Sequence, residues 1–219
     1  MLSKRLLALA ALALTAPAAA KPIAFGDGYT AMYEYGAGTM QEAQAFYAPR
    51  YWYSLGAGYL RLDAADEAFS RDISYARFNY LVRRWNLPEA QGNVFAYGGL
   101  GAARSDDYDG TKVAWNGGAQ ADYETRRIYA SLKADYQHSS AFAHRIDTLQ
   151  LGLAPYLHDY GGIATWFVLQ ARNYTGGIYD GIESAALIRL FGARAWGSVW
   201  FEGGVTNDGT LQTMVMFNF

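Results

Sequence analysis

The chain has no cysteine, which excludes a disulfide scaffold, a thiolate zinc site and an iron–sulfur cluster. Charge is scarce: 17% of residues are Asp, Glu, Lys or Arg, against about 25% in ordinary soluble domains. A net charge of −2 with no basic patch argues against nucleic acid as a partner. Beyond residue 20 no apolar run approaches the ~18 residues a membrane-spanning helix needs. The three histidines, His138, His144 and His158, show no close metal-ligand spacing, and no glycine-rich phosphate loop is present, so no cofactor is expected. What is plentiful is hydrophobic residues, at 52%, with 24 glycines and 18 tyrosines. That is the reverse of the composition of disordered chains, and 219 residues fit one domain.

The first twenty residues read as a secretory signal peptide. Lys4 and Arg5 are a short basic start, Leu6 to Leu14 an apolar stretch, and Pro17 ends any helix there. Ala18-Ala19-Ala20 supplies the small residues of a cleavage site after Ala20. The apolar stretch is too short to cross ~30 Å of hydrocarbon as a helix.

The remainder alternates apolar and polar residues with a period of two, the signature of strands with two unlike faces. In 127–137, Ile128, Ala130, Leu132, Ala134 and Tyr136 oppose Arg127, Tyr129, Ser131, Lys133, Asp135 and Gln137. Ten strands are predicted, at 49–62, 72–85, 93–104, 112–124, 126–137, 145–157, 162–174, 181–191, 195–205 and 210–219. Polar loops at 63–71, 105–111, 138–144 and 175–180 alternate with tighter connections. Residues 21–48 are then left over. They are a lead-in, an inner plug or one more hairpin, and Met40 to Phe46 reads as weakly helical.

Alternation alone does not say which face is the core. In a soluble barrel the apolar face points in; in a membrane barrel it points out and the interior is polar. The polar face carries both charge signs in mid-strand: Arg77, Arg83, Lys133, Asp135, Arg172, Glu183, Arg189 and Glu202. Such residues neutralise one another in a lumen. Aromatics gather near strand ends, among them Tyr51, Trp52, Tyr53, Tyr75, Trp85, Tyr108, Tyr123, Tyr156, Tyr160, Tyr174 and Trp196, as amphipathic rings do at membrane interfaces.

The chain stops inside a strand, on Val215, Phe217 and Phe219 within MVMFNF. Here it resembles bacterial outer-membrane β-barrel proteins, whose last strand ends in an aromatic after alternating apolar residues. The resemblance implies an all-β, closed, antiparallel up-and-down transmembrane barrel over 49–219. About ten strands are expected, with eight and twelve as the neighbouring counts. It also implies a Gram-negative outer membrane with its lipids and lipopolysaccharide as surroundings. Val215, Phe217 and Phe219 would be the signal read by the barrel-assembly machinery. A barrel this small is nearly filled by its own side chains, so a narrow, porin-like interior is expected.

Two segments carry residues suited to chemistry. His138-Ser139-Ser140 and His144 share one predicted loop, which resembles the Ser, His and acid set of outer-membrane lipid A deacylases. Asp147 or Asp135 would be the acid, the logic being a base that polarises a hydroxyl nucleophile. Asn173-Tyr174-Thr175 followed by Asp180 to Glu183 loosely echoes that family's pattern, with Asn where the family has His. Asp107 and Asp109, in a run of acids ending at Gly110, are candidates for a divalent cation. The expected function is a non-enzymatic structural protein or narrow passive conduit. A lipid-modifying hydrolase and a secreted soluble β-barrel binding protein are the alternatives.

Overall fold

The computed structural model describes residues 23–219 apart from 24, 37, 65–67, 158–161, 177–179 and 195–196. The signal segment at 1–20 and His158, Tyr160 and Trp196 lie outside the described residues. The described residues form twelve antiparallel strands: β1 (Gly28–Gly36), β2 (Met40–Arg50), β3 (Tyr53–Asp63), β4 (Ser70–Asn86), β5 (Ala90–Ser105), β6 (Tyr108–Thr125), β7 (Ile128–Ser139), β8 (Ala143–Leu153), β9 (Ile163–Thr175), β10 (Gly181–Arg194), β11 (Gly197–Thr206) and β12 (Leu211–Asn218). Each pairs with its sequence neighbours, and β1 pairs with β12 to close the barrel.

The strand count corrects the expected ten. Gly28–Gly36 and Met40–Arg50 form a further hairpin, β1–β2, and the stretch expected to be weakly helical from Met40 to Phe46 is strand. Its alternation is masked in the sequence because both faces break the usual code. Met40, Glu42, Gln44 and Phe46 point inward and buried, while the outward positions are mostly alanine (Ala43, Ala45). The polar segment at 105–111 is likewise mostly strand, with only Asp106 and Asp107 between β5 and β6.

Closure depends on this hairpin. From Thr30 opposite Asn218 to Gly36 opposite Gln212, β1 runs in register with β12. The seam is fastened by Thr30 Oγ1 donating to Asn218 Oδ1 at 2.8 Å. Reciprocal backbone bonds join Tyr29 and Phe219, whose rings stack at 5.7 Å. A closed barrel leaves no unpaired strand edge, as an apolar surrounding requires.

The two faces divide cleanly. Outward lie Val113 (77% exposed), Leu169 (66%), Leu132 (58%), Phe167, Ile188 and Phe217. Inward lie buried Arg77, Asp135, Arg172, Glu183, Arg189 and Glu202. Leaving large aliphatic side chains exposed on so many strands costs free energy in water and none in hydrocarbon. At the end of the barrel where β1 starts and β12 ends (the terminal end), outward rings form a belt. Tyr29 and Tyr47 lie 4.8 Å apart, Trp52 and Tyr53 4.4 Å, and Trp52 and Tyr80 5.8 Å. Three tyrosines expected among strand-end aromatics, Tyr75, Tyr108 and Tyr174, instead face the lumen, because each sits in the inward register of its strand.

The lumen is layered. Toward the end away from the termini, Met40, Leu60, Leu62, Ile73, Phe142, Ile146 and Tyr174 pack into one apolar cluster. Toward the terminal end lie Tyr129, Trp166 and Val168, then Trp200, Met214 and Met216. Ile23 also lies there, packed on Ala48, Leu81 and Phe95. Polar and charged side chains occupy the middle.

Candidate functional site

The mid-lumen layer is built because inward positions on strands from all around the barrel meet at one level. Two networks fill it. In the first, Arg189 on β10 donates from Nε to Glu202 Oε2 at 2.7 Å and from Nη2 to Gln150 Oε1 at 2.8 Å. Gln150 passes its Nε2 to Gln170 Oε1 at 2.8 Å, and Gln170 passes its own to Gln212 Oε1 at 3.0 Å. Gln212 Nε2 reaches Glu34 Oε1 at 3.4 Å, and Glu34 is ion-paired with Arg172. The result is a relay of amides running from a cation to an anion across five strands, every link donating in the same sense. Bonds so aligned polarise one another and strengthen the set.

The second network centres on Arg77 of β4. Its guanidinium lies between the rings of Tyr75 (4.4 Å) and Tyr97 (4.7 Å). Nε donates to Asn116 Oδ1 at 3.1 Å, and Nη2 stands 3.7 Å from Asp135, which Lys133 contacts at 2.6 Å. Tyr75 in turn donates to Glu42 at 2.6 Å. Two glycines make the room. A Cβ at Gly58 would lie 2.3 Å from the Tyr75 ring, and one at Gly118 would lie 2.6 Å from the Tyr97 ring. The strand glycines thus serve close packing of lumen rings.

Between the networks is a cavity of about 110 Å³, lined by residues that include Glu34, Gln44, Arg77, Lys133, Gln150, Arg172, Arg189 and Glu202. Buried charges are tolerable only when paired and hydrogen-bonded, and this lining meets that condition cation by cation.

Of the eight charged residues read from the sequence, Arg77, Lys133 and Asp135 meet in one network, and Arg172, Arg189 and Glu202 in the other. Glu183 is buried directly opposite Arg172 in the β9–β10 register, while the guanidinium turns instead to Glu34. Arg83 is a correction. A register shift between Leu81 and Arg83 turns it outward, where it lies over the Trp85 ring at 5.6 Å. Its neighbour Arg84 faces in and donates to Asn93 at 2.7 Å. Glu34 lies in the segment, 21–48, that alternation alone does not assign to the predicted barrel. The amides Gln44, Gln150, Gln170 and Gln212 were missed because a search by charge passes over neutral groups. Their only signal is glutamine at inward positions of period-two runs.

The candidate hydrolase residues are not brought together. His138 faces out and packs on Trp115 at 5.3 Å, whereas Ser139 faces in, buried, its Oγ accepting from the Ala141 amide at 3.0 Å. Adjacent strand residues point to opposite faces, so this pair shares no pocket. His144 stacks on Phe142 inside the lumen at 5.6 Å. Asp147 pairs outside with Arg145 at 2.8 Å. Asp107 is held by Arg71 at 2.9 Å, and Asp109 is exposed. Among the described residues no group of three or more His, Asp or Glu is placed to hold a metal ion.

No protein-family model and no curated protein matches the sequence. Two solved structures of KdgM porin, one of them in complex with disordered oligogalacturonate, match in shape. Each has a TM-score of 0.51 and 8% identity, over 88% of this chain and 98% of the porin. At that identity the likeness speaks to fold alone. The chain shares a closed antiparallel barrel fold with these porin structures.

Proposed function

We propose that the protein is an outer-membrane β-barrel that acts, without covalent chemistry, as a narrow passive conduit whose charged middle layer sets what passes. The observation that carries this reading is the inversion of faces: aliphatic residues outside, six paired charges around a central cavity inside. A secreted soluble barrel would bury the first set and wet the second. A hydrolase would need His138 and Ser139 on one face. Outward Phe217 and Phe219 at the closing strand suit the role of assembly signal, and the aromatic belt suits contact with lipid headgroups.

Insertion is tested by cell fractionation with heat-modifiable migration in detergent gels. A heat-insensitive, soluble periplasmic pool would count against it. The conduit is tested by conductance in planar bilayers. Arg172→Ala leaves Glu34 uncompensated and is expected to raise cation selectivity. Phe142 plugs the end away from the termini, its ring 4.0 Å from the Arg71 guanidinium, so Phe142→Ala is expected to increase current. No current above background from either variant removes the conduit.

A further inference from the structure

The chemistry of the central chamber narrows the solute class. All six charged side chains that line it are already committed: Arg172 to Glu34, Arg189 to Glu202, Lys133 to Asp135, and Arg77 to Asp135 and Asn116. An organic ion large enough to fill the cavity would have to displace one member of these buried pairs, which strands its partner in a poorly solvated place, whereas the small hydrated salt ions that carry current need not. One polar group in the lining is different. Gln44 is 8% exposed, and its Nε2 meets no acceptor among the described residues. A solute that displaces water from the chamber must give this donor an acceptor, because a buried donor left unmade costs about 1–3 kcal/mol. The amides of Gln150 and Gln170, also in the lining, offer both donors and acceptors. A hydroxyl group accepts from Gln44 and donates elsewhere in the same pose. The cavity of about 110 Å³ holds several waters and so takes a small molecule, not an oligomer.

We infer that the chamber is a selectivity site for small, uncharged, polyhydroxylated solutes, with Gln44 as a direct contact, and that it holds back ions of the same size. This inference rests on the conduit reading.

The test uses the full-length mature chain in phosphatidylcholine vesicles, with uptake of radiolabelled erythritol compared with that of its carboxylate analogue, 2,3,4-trihydroxybutyrate. Erythritol is expected to enter roughly tenfold faster, and Gln44→Leu to cut erythritol uptake several-fold toward the carboxylate rate. Gln44→Asn, which keeps the amide, retains more of the uptake. Heat-modifiable migration confirms that each variant is folded. Carboxylate uptake equal to or faster than that of erythritol overturns the selectivity while leaving the conduit standing. Unchanged erythritol uptake in folded Gln44→Leu removes Gln44 from the site. Uptake of neither solute, even with Phe142→Ala, takes down the conduit reading itself and the inference with it.

Discussion

Arg189 is the side chain whose loss should be felt most. It is 2% exposed. Its Nε and Nη2 both lie 2.7 Å from Glu202, and Nη2 also donates to Gln150. Its guanidinium carbon stands 4.7 Å from the centre of the Tyr129 ring and 5.5 Å from that of Trp200. Arg189→Ala leaves Glu202, itself 3% exposed, as an uncompensated carboxylate, and leaves Gln150 Oε1 without its donor. Breaking a buried pair by removing one partner costs about 3–5 kcal/mol. At about 2 kcal/mol per molar urea, the unfolding midpoint in phospholipid vesicles should fall by roughly 2 M. The double variant Arg189→Met with Glu202→Met replaces the pair by apolar groups of similar length and should recover most of that loss, because the unpaired charge is gone. The mutant cycle then gives a coupling well above the ~0.5 kcal/mol scatter of independent sites. A loss under about 1 kcal/mol for Arg189→Ala, with no coupling to position 202, would mean that water solvates Glu202. That outcome refutes the filled lumen and makes the barrel a wide aqueous pore.

Two further outcomes follow from the same physics. Leu169→Arg puts a charge on the outward face in the middle of β9 and should cost about 2–4 kcal/mol of folding free energy in vesicles, read as a lower refolded fraction on heat-modifiability gels. An unchanged fraction would mean the exterior is wet. Gly58→Val drives a side chain into the Tyr75 ring, 2.3 Å from the Cβ position, and should cost about 1–3 kcal/mol by overpacking, whereas Gly192→Ala, with nothing within 4 Å of its Cβ position, should leave the near-ultraviolet aromatic signal of the core intact. Equal stability of the two glycine variants would contradict the tight stacking around Arg77.

The sequence carried the architecture because a barrel strand with an apolar outer face and a polar inner face must alternate, and Leu132, Leu169 and Val113 take the outer positions of their strands. It failed in three places for identifiable reasons. β2 hid its period by using alanine where a lipid face usually carries leucine, and glutamate and glutamine beside Met40 and Phe46 on the inner one. The shift after Leu81 reversed Arg83 and Arg84, since a single extra residue swaps every later side chain to the other face. Nothing in the local sequence marks it. The relay through Gln150, Gln170 and Gln212 joins residues up to 62 apart in number, and only closure of the barrel brings them together. The paired cations were legible together with Asp135 and Glu202, but the partner of Arg172 was not, because Glu34 lies on the strand whose presence the sequence left open.

The most direct test of whether lipid bathes the outer face uses the absence of native cysteine. Single cysteines at Leu169 and Gln170, labelled with a nitroxide and reconstituted in bilayers, report collisions with dissolved oxygen and with a water-soluble nickel chelate. At 169 the label should be relaxed strongly by oxygen and hardly by nickel, and at 170 oxygen should lose that advantage. Strong nickel relaxation at 169, with 170 shielded from both reagents, would show the apolar face in water and contradict the account at its base.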